Sequence, residues 1–140
     1  MRSLRGSGNG TRTKLRKPWH NEKLISTIKD ALNNKGVALA GLGRYDDALY
    51  YYDTAINVDS SIPKTYYNKG ITLANVSQYV EAIECYDQVL RIDPDFVDAY
   101  YNKAVALGSL DKYEEAIIYY DEVIYRNSDY ITAYYGKGYS

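Results

Sequence analysis

Residues 63–96 read PKTYYNKGITLANVSQYVEAIECYDQVLRIDPDF, and residues 97–130 read VDAYYNKAVALGSLDKYEEAIIYYDEVIYRNSDY. Laid over one another, the two stretches share thirteen identities. Residues 29–62 share ten with 63–96 on the same register. Chance at average residue usage gives roughly two. A repeat with the length of one such stretch is therefore written into the chain. Such a period predicts units that cannot bury their apolar faces alone and must stack on their neighbours.

The pattern inside a unit is helical. In 97–126, Tyr100, Ala104 and Leu107 make one burst of three-to-four spacing. Tyr113, Ala116, Ile117, Tyr120, Val123 and Ile124 make a second, with Gly108-Ser109-Leu110-Asp111 as the break between them. Each unit thus predicts two helices. The columns Leu39/Leu73/Leu107, Tyr45/Tyr79/Tyr113, Ala48/Ala82/Ala116 and Tyr52/Tyr86/Tyr120 read as core. Ser61, Asp95 and Asp129 recur just before the first helices and are candidate N-caps. Acid pairs such as Asp46-Asp47 and Glu114-Glu115 open the second helices, where they complement the helix dipole. Ahead of the first unit, Asn21 is a candidate cap for a short extension with Leu24, Ile25 and Ile28 on its apolar face.

These residues resemble the tetratricopeptide repeat family, whose unit is about 34 residues folded as two antiparallel helices. The small eighth position is Gly36, Gly70, Ala104 and Gly138; the twentieth is Ala48, Ala82 and Ala116; the aromatic twenty-fourth is Tyr52, Tyr86 and Tyr120. Two departures stand out. The seventh position is Lys35, Lys69, Lys103 and Lys137 instead of an apolar residue, and the unit-ending proline is present only as Pro94. The lysines are expected to pack their stems and pair with nearby acids on a solvated face. The resemblance implies an all-α fold, a right-handed superhelical solenoid of antiparallel helix pairs. It divides the chain into a basic arm (1–20) and a repeat domain (21–140) with units 29–62, 63–96, 97–130 and a partial unit 131–140.

Composition removes several function classes. One cysteine (Cys85) and one histidine (His20) in 140 residues exclude a disulfide scaffold and the usual His- and Cys-based metal sites. No nucleophile–base set emerges, so no catalytic residue, cofactor or metal is expected and the chain reads as non-enzymatic. Residues 1–23 carry a net charge of +6 and residues 24–140 a net −7. The arm is Gly/Ser/Asn/Thr-rich, and no apolar run in the chain suits a secretory signal or a membrane span. The expectation is a cytoplasmic protein without a membrane partner.

In the resembled family the first helices line a concave surface that binds peptide segments. Carried over, the groove consists of Asn33, Tyr67, Tyr101 and Tyr135 at position five; Asn34, Asn68 and Asn102 at position six; and Val37, Ile71 and Val105 at position nine. Asn offers a donor and an acceptor to a peptide unit, and the row resembles the asparagine ladder of the O-linked N-acetylglucosamine transferases; the alternative is that each Asn bonds a neighbouring helix. Tyr supplies flat amphipathic surface. The co-chaperone members clamp a C-terminal carboxylate with basic residues, but here those positions are Asn33, Val37, Asn68, Asp98 and Asn102. No chaperone tail ending Glu-Glu-Val-Asp is expected to bind. Two alternatives accompany this reading. One is homo-oligomer formation through Tyr134 and Tyr139, because the sequence stops within a fourth first helix. The other is nucleic-acid association through the arm, disfavoured by the acidic body.

Overall fold

A short turn centred on one left-handed residue reverses the chain inside each unit. The computed structural model describes the backbone of residues 18–127 and the side chains of 21–127. It contains helices α1 (Pro18–Gly41), α2 (Tyr45–Val58), α3 (Pro63–Asn75), α4 (Tyr79–Ile92), α5 (Val97–Ser109) and α6 (Tyr113–Arg126), and no strand among the described residues. At the centre of the three turns stand Gly43, Ser77 and Asp111, with φ of 79°, 65° and 62°. The N–H of the next residue then bonds the carbonyl of Leu39, Leu73 or Leu107, each at 2.9 Å. A left-handed residue of this kind lets a helix end with its last carbonyls satisfied. The third turn lies slightly later than the spacing predicted: Gly108 and Ser109 are still helical.

The helices pair as α1–α2, α3–α4 and α5–α6, and the pairs stack through α2–α3 and α4–α5. The first helices also touch one another, α3 meeting both α1 and α5, whereas the second helices do not approach each other as closely. The stack therefore curves with the first helices inside. This is an all-α helical repeat solenoid.

The core follows the small–aromatic columns. Ala48, Ala82 and Ala116 are fully enclosed, and Tyr52, Tyr86 and Tyr120 are buried beside them. A Cβ on Gly36 would stand 2.5 Å from Tyr52 Cε1, and one on Gly70 would stand 2.6 Å from Tyr86 Cε1. Here the small residue is required by close approach. Leu39, Leu73 and Leu107 are buried as expected. The Tyr45/Tyr79/Tyr113 column is not core: Tyr45 and Tyr79 are half-buried, and Tyr113 is 47% exposed with its hydroxyl donating to Asp111 Oδ1 at 2.7 Å. Tyr79 leans on a cluster that includes Ala106 of the next unit.

Two helix-start assignments are corrected. The N-cap residues of α3 and α5 are Ile62 and Phe96, immediately after Ser61 and Asp95, and neither makes a side-chain cap. The polar contacts form further back. Asp59 Oδ1 accepts from the Ser61 N–H at 2.9 Å, and Asp93 Oδ1 from the Asp95 N–H at 3.1 Å. Asn21 lies inside α1, which runs unbroken from Pro18. Its apolar residues Leu24, Ile25 and Ile28 are each more than 40% exposed among the described residues.

Candidate functional site

The inner face is built by α1, α3 and α5. On α3 it presents Tyr67, Asn68 and Ile71; on α5, Tyr101, Asn102 and Val105; on α1, Asn34 and Val37. Residues at positions five, six and nine share one side of a helix because they are spaced by one, three and four. Val37 (46% exposed) and Val105 (38%) point their branched side chains outward, while the tyrosines and Asn68 and Asn102 are half-buried.

Positions five and six are joined across units. Asn68 Nδ2 donates to Asn33 Oδ1 at 3.1 Å. One unit on, Asn102 Nδ2 donates to the Tyr67 hydroxyl at 2.9 Å and to the Asp98 carbonyl at 2.9 Å. The bonds to neighbouring helices weighed for this row are thus present. Each of these amides commits its nitrogen to a neighbour and has no bonded partner for its oxygen among the described residues. Asn33 is itself buried, at 6% exposure, so it supports Asn68 from beneath.

The tyrosines are anchored from below. The Tyr67 ring lies 5.0 Å from Phe96 and 6.2 Å from Tyr86, and Tyr101 packs at 5.9 Å on Tyr120. Burial raises the pKa of Tyr67; the Asp98 carboxylate adds to this and the bond from Asn102 opposes it. Burial also raises that of Tyr101. Both are neutral phenols at physiological pH. Between α3 and α5 a recess of about 270 Å³ opens among Ile71, Asn102, Val105 and Ser109.

The lysine row points elsewhere. Lys69 Nζ pairs with Asp53 at 2.7 Å and Lys103 Nζ with Asp87 at 2.6 Å, each reaching back to a second helix of the preceding unit. For both, burial lowers the pKa, but the bonds to Asp53, or to Asp87 and Tyr119, outweigh it and the net shift is upward. Lys69 and Lys103 are thus struts between units. Lys35 lies 4.3 Å from the centre of the Tyr51 ring.

Tyr135, the self-association candidates Tyr134 and Tyr139, Asp129, Lys137 and Gly138 lie outside the described residues, as do residues 1–17 of the arm and the His20 side chain. Among the described residues no group of His, Cys, Asp and Glu side chains is placed to hold a metal ion, and no helix is long and apolar enough to cross a membrane. Sequence reasoning missed the burial of Asn33 and the part played by Phe96 beneath Tyr67. The only signal for the second was the single phenylalanine in a chain whose other rings, apart from Trp19, are tyrosines.

The family model described as the tetratricopeptide repeat matches residues 30–61, 63–96 and 97–130. The chain is similar in structure to the first TPR of Spaghetti (RPAP3) bound to the HSP90 peptide SRMEEVD. The TM-score is 0.77 at 21% identity, covering 80% of this chain and 89% of that one. It is also similar to the second TPR domain of human RPAP3 in complex with the HSP70 peptide SGPTIEEVD, with TM-score 0.77, 18% identity and coverage of 81% and 95%. YrrB, a TPR protein with an unusual peptide-binding site, superposes with TM-score 0.74 at 26% identity, covering 79% of this chain and 57% of that one. No curated protein sequence matches the chain.

Proposed function

The chain belongs to the tetratricopeptide repeat family, and from that premise we propose that it is a non-catalytic interaction module holding a partner polypeptide against the inner faces of α1, α3 and α5. The observation that carries this reading is the cross-unit ladder. The bonds from Asn68 to Asn33 and from Asn102 to Tyr67 fix the amides in register one unit apart and leave their oxygens to accept from a ligand backbone. Val37, Ile71 and Val105 flank the ladder with apolar surface, and Tyr67 and Tyr101 offer phenol edges. Main-chain recognition by fixed acceptors, with apolar contacts alongside, is a recurrent way of holding peptides.

The same face is unsuited to an acidic C-terminal tail. Where the chaperone-binding members supply cations in the third unit, this chain has Asp98 and Asn102, and Asp98 sits in the first turn of α5. A carboxylate ligand there meets a like charge.

The test is affinity capture from cell lysate in the presence of nuclease, with Val37→Glu/Val105→Glu beside the wild type. These two side chains are exposed, so the variant keeps the internal packing. A partner retained by the wild type and lost by the variant supports the groove. Identical captures place the binding elsewhere. Measurable affinity for a peptide ending in Glu-Glu-Val-Asp, lost on adding free carboxylate competitors, overturns the exclusion.

A further inference from the structure

The outer side of the solenoid carries a second feature. An open recess of about 690 Å³ lies between α2, α3 and α4, with Leu49, Asp53, Tyr66, Lys69, Leu73 and Cys85 in its walls. The repeat explains why it is there. One unit on, the counterparts of Asp53, Tyr66 and Lys69 are Asp87, Tyr100 and Lys103, and the last two lie against a ring, that of Tyr119. Lys103 Nζ lies 4.1 Å from its centre and donates to its hydroxyl at 2.9 Å. Tyr100 stacks on it, 6.4 Å between centroids and 22° between planes. Asp87 holds Lys103 in place at 2.6 Å. In the first unit the Tyr51 ring lies 4.3 Å from Lys35 Nζ, with Leu32 where Tyr66 and Tyr100 stand in the later units. In the middle unit the plug is missing, because position 23 is Cys85.

The walls have not adapted to its absence. Lys69 is still held by Asp53 at 2.7 Å. The Tyr66 hydroxyl donates to the Ser60 carbonyl, as that of Tyr100 does to the Pro94 carbonyl one unit on. Among the described residues no ring lies against Tyr66 and none lies under Lys69. The middle unit therefore presents an ammonium and an aromatic face arranged around a space that Tyr119 fills in the next unit.

We propose that this recess is a docking site for a tyrosine side chain of a partner polypeptide, which completes the Lys69–Tyr66 arrangement as Tyr119 completes that of Lys103 and Tyr100. An ammonium beside an aromatic ring is attractive, more so when both are partly desolvated. The phenol hydroxyl accepts from Lys69 as Tyr119 does from Lys103. Glu81 and Glu84 on the rim outnumber Arg91 and favour a tyrosine with basic neighbours. This site is on the opposite side from the ladder and stands independently of it.

The test uses the full chain, p-cresol as the side-chain probe, and the peptides acetyl-Lys-Tyr-Lys-amide and acetyl-Lys-Leu-Lys-amide, read by amide and methyl NMR shifts. The expected result is that p-cresol and the tyrosine peptide move Lys69, Cys85 and Leu49 resonances. The leucine peptide binds about tenfold more weakly. Cys85→Tyr raises the melting temperature and abolishes the shifts, because the chain supplies its own plug, while Cys85→Ser retains them. Lys69→Gln, which keeps the stem and removes the charge, weakens the tyrosine peptide and leaves the leucine peptide unchanged. The proposal is overturned if the shifts fall on the inner face, or if Cys85→Tyr binds as the wild type does or is destabilised. It is also overturned if the wild type is a dimer that Cys85→Tyr makes monomeric. In that case the occupant is a second copy, presenting a tyrosine such as Tyr125, which is 86% exposed.

Discussion

Asn102 reaches back across one unit to donate a hydrogen bond to the phenol oxygen of Tyr67, at 2.9 Å. The equivalent bond one unit earlier ends on the amide oxygen of Asn33. The acceptor changes from amide to phenol, yet the geometry is kept, so the rung depends on an oxygen at position five and tolerates either group that supplies one.

Tyr67→Phe removes that oxygen and keeps the ring against Phe96. Stability is expected to fall by about 0.5–1.5 kcal/mol. The deficit should shrink when Asn102→Ala is already present, because the rung is then gone. A double-mutant cycle by urea unfolding checks this; fully additive effects mean that the rung carries no coupling.

Gly70→Ala places a methyl 2.6 Å from the Tyr86 ring, which is fully buried and cannot swing away. Overpacking of this kind is expected to cost about 1–3 kcal/mol. Gly108 lies in the last turn of α5, where an added Cβ meets nothing within 4 Å. There Gly108→Ala should stabilise by roughly 0.5–1 kcal/mol through helix propensity. Thermal melts of the two variants should move in opposite directions.

The left-handed turn residue differs among units: Gly43, Ser77 and Asp111. Glycine adopts this conformation without a Cβ clash, Asp tolerates it, and Ser does so less readily. Ser77→Gly is expected to raise stability by up to about 1 kcal/mol. Asp111→Gly should yield less, since it also removes the acceptor of the Tyr113 hydroxyl. Equal gains at both positions would show that backbone strain is not what separates them.

Asp59 ties α1 to the link between the first two units through Lys29 Nζ at 2.7 Å. The bond from Lys29, followed by those from the Ser61 hydroxyl and N–H, holds its carboxyl well below the ordinary carboxylate range. A lowered folded-state pKa gives a contribution that is complete above the unfolded value near 4. It is lost as pH falls through the lower folded value. Asp59→Asn should therefore be less stable than wild type at pH 7 and lose less of its stability between pH 5 and pH 2. Parallel pH profiles for the two proteins would count against the pair.

The thiol of Cys85 is buried, which pushes its pKa up to about 11. At pH 8 its thiolate fraction is about a hundredfold below that of an unperturbed thiol. Modification by a disulfide reagent should be slow in the folded protein, because the thiolate is scarce and the sulfur is buried, and become fast in denaturant.

The repeat period, the two helices per unit, the small column at Gly36 and Gly70 and the aromatic column at Tyr52 and Tyr86 were legible in the sequence, whereas the close approach of each glycine to its tyrosine came only with the structure. The columns rest on local spacing, and repetition displays each of them several times over. Ser61 and Asp95 were misplaced as caps by one position because they stand in turns held by Asp59 and Asp93, and a turn and a cap favour the same residue types. What only the tertiary structure decided is how one unit meets the next. The crossing of the helices buries Asn33 and leaves Asn34 exposed. It carries Lys69 back to Asp53 and Lys103 back to Asp87, each in the preceding unit, and it turns one cysteine in a tyrosine column into an open recess. Those contacts join residues whose side-chain directions are set by helix packing, so the recurrence of the Lys and Asp columns along the chain does not say which pairs meet.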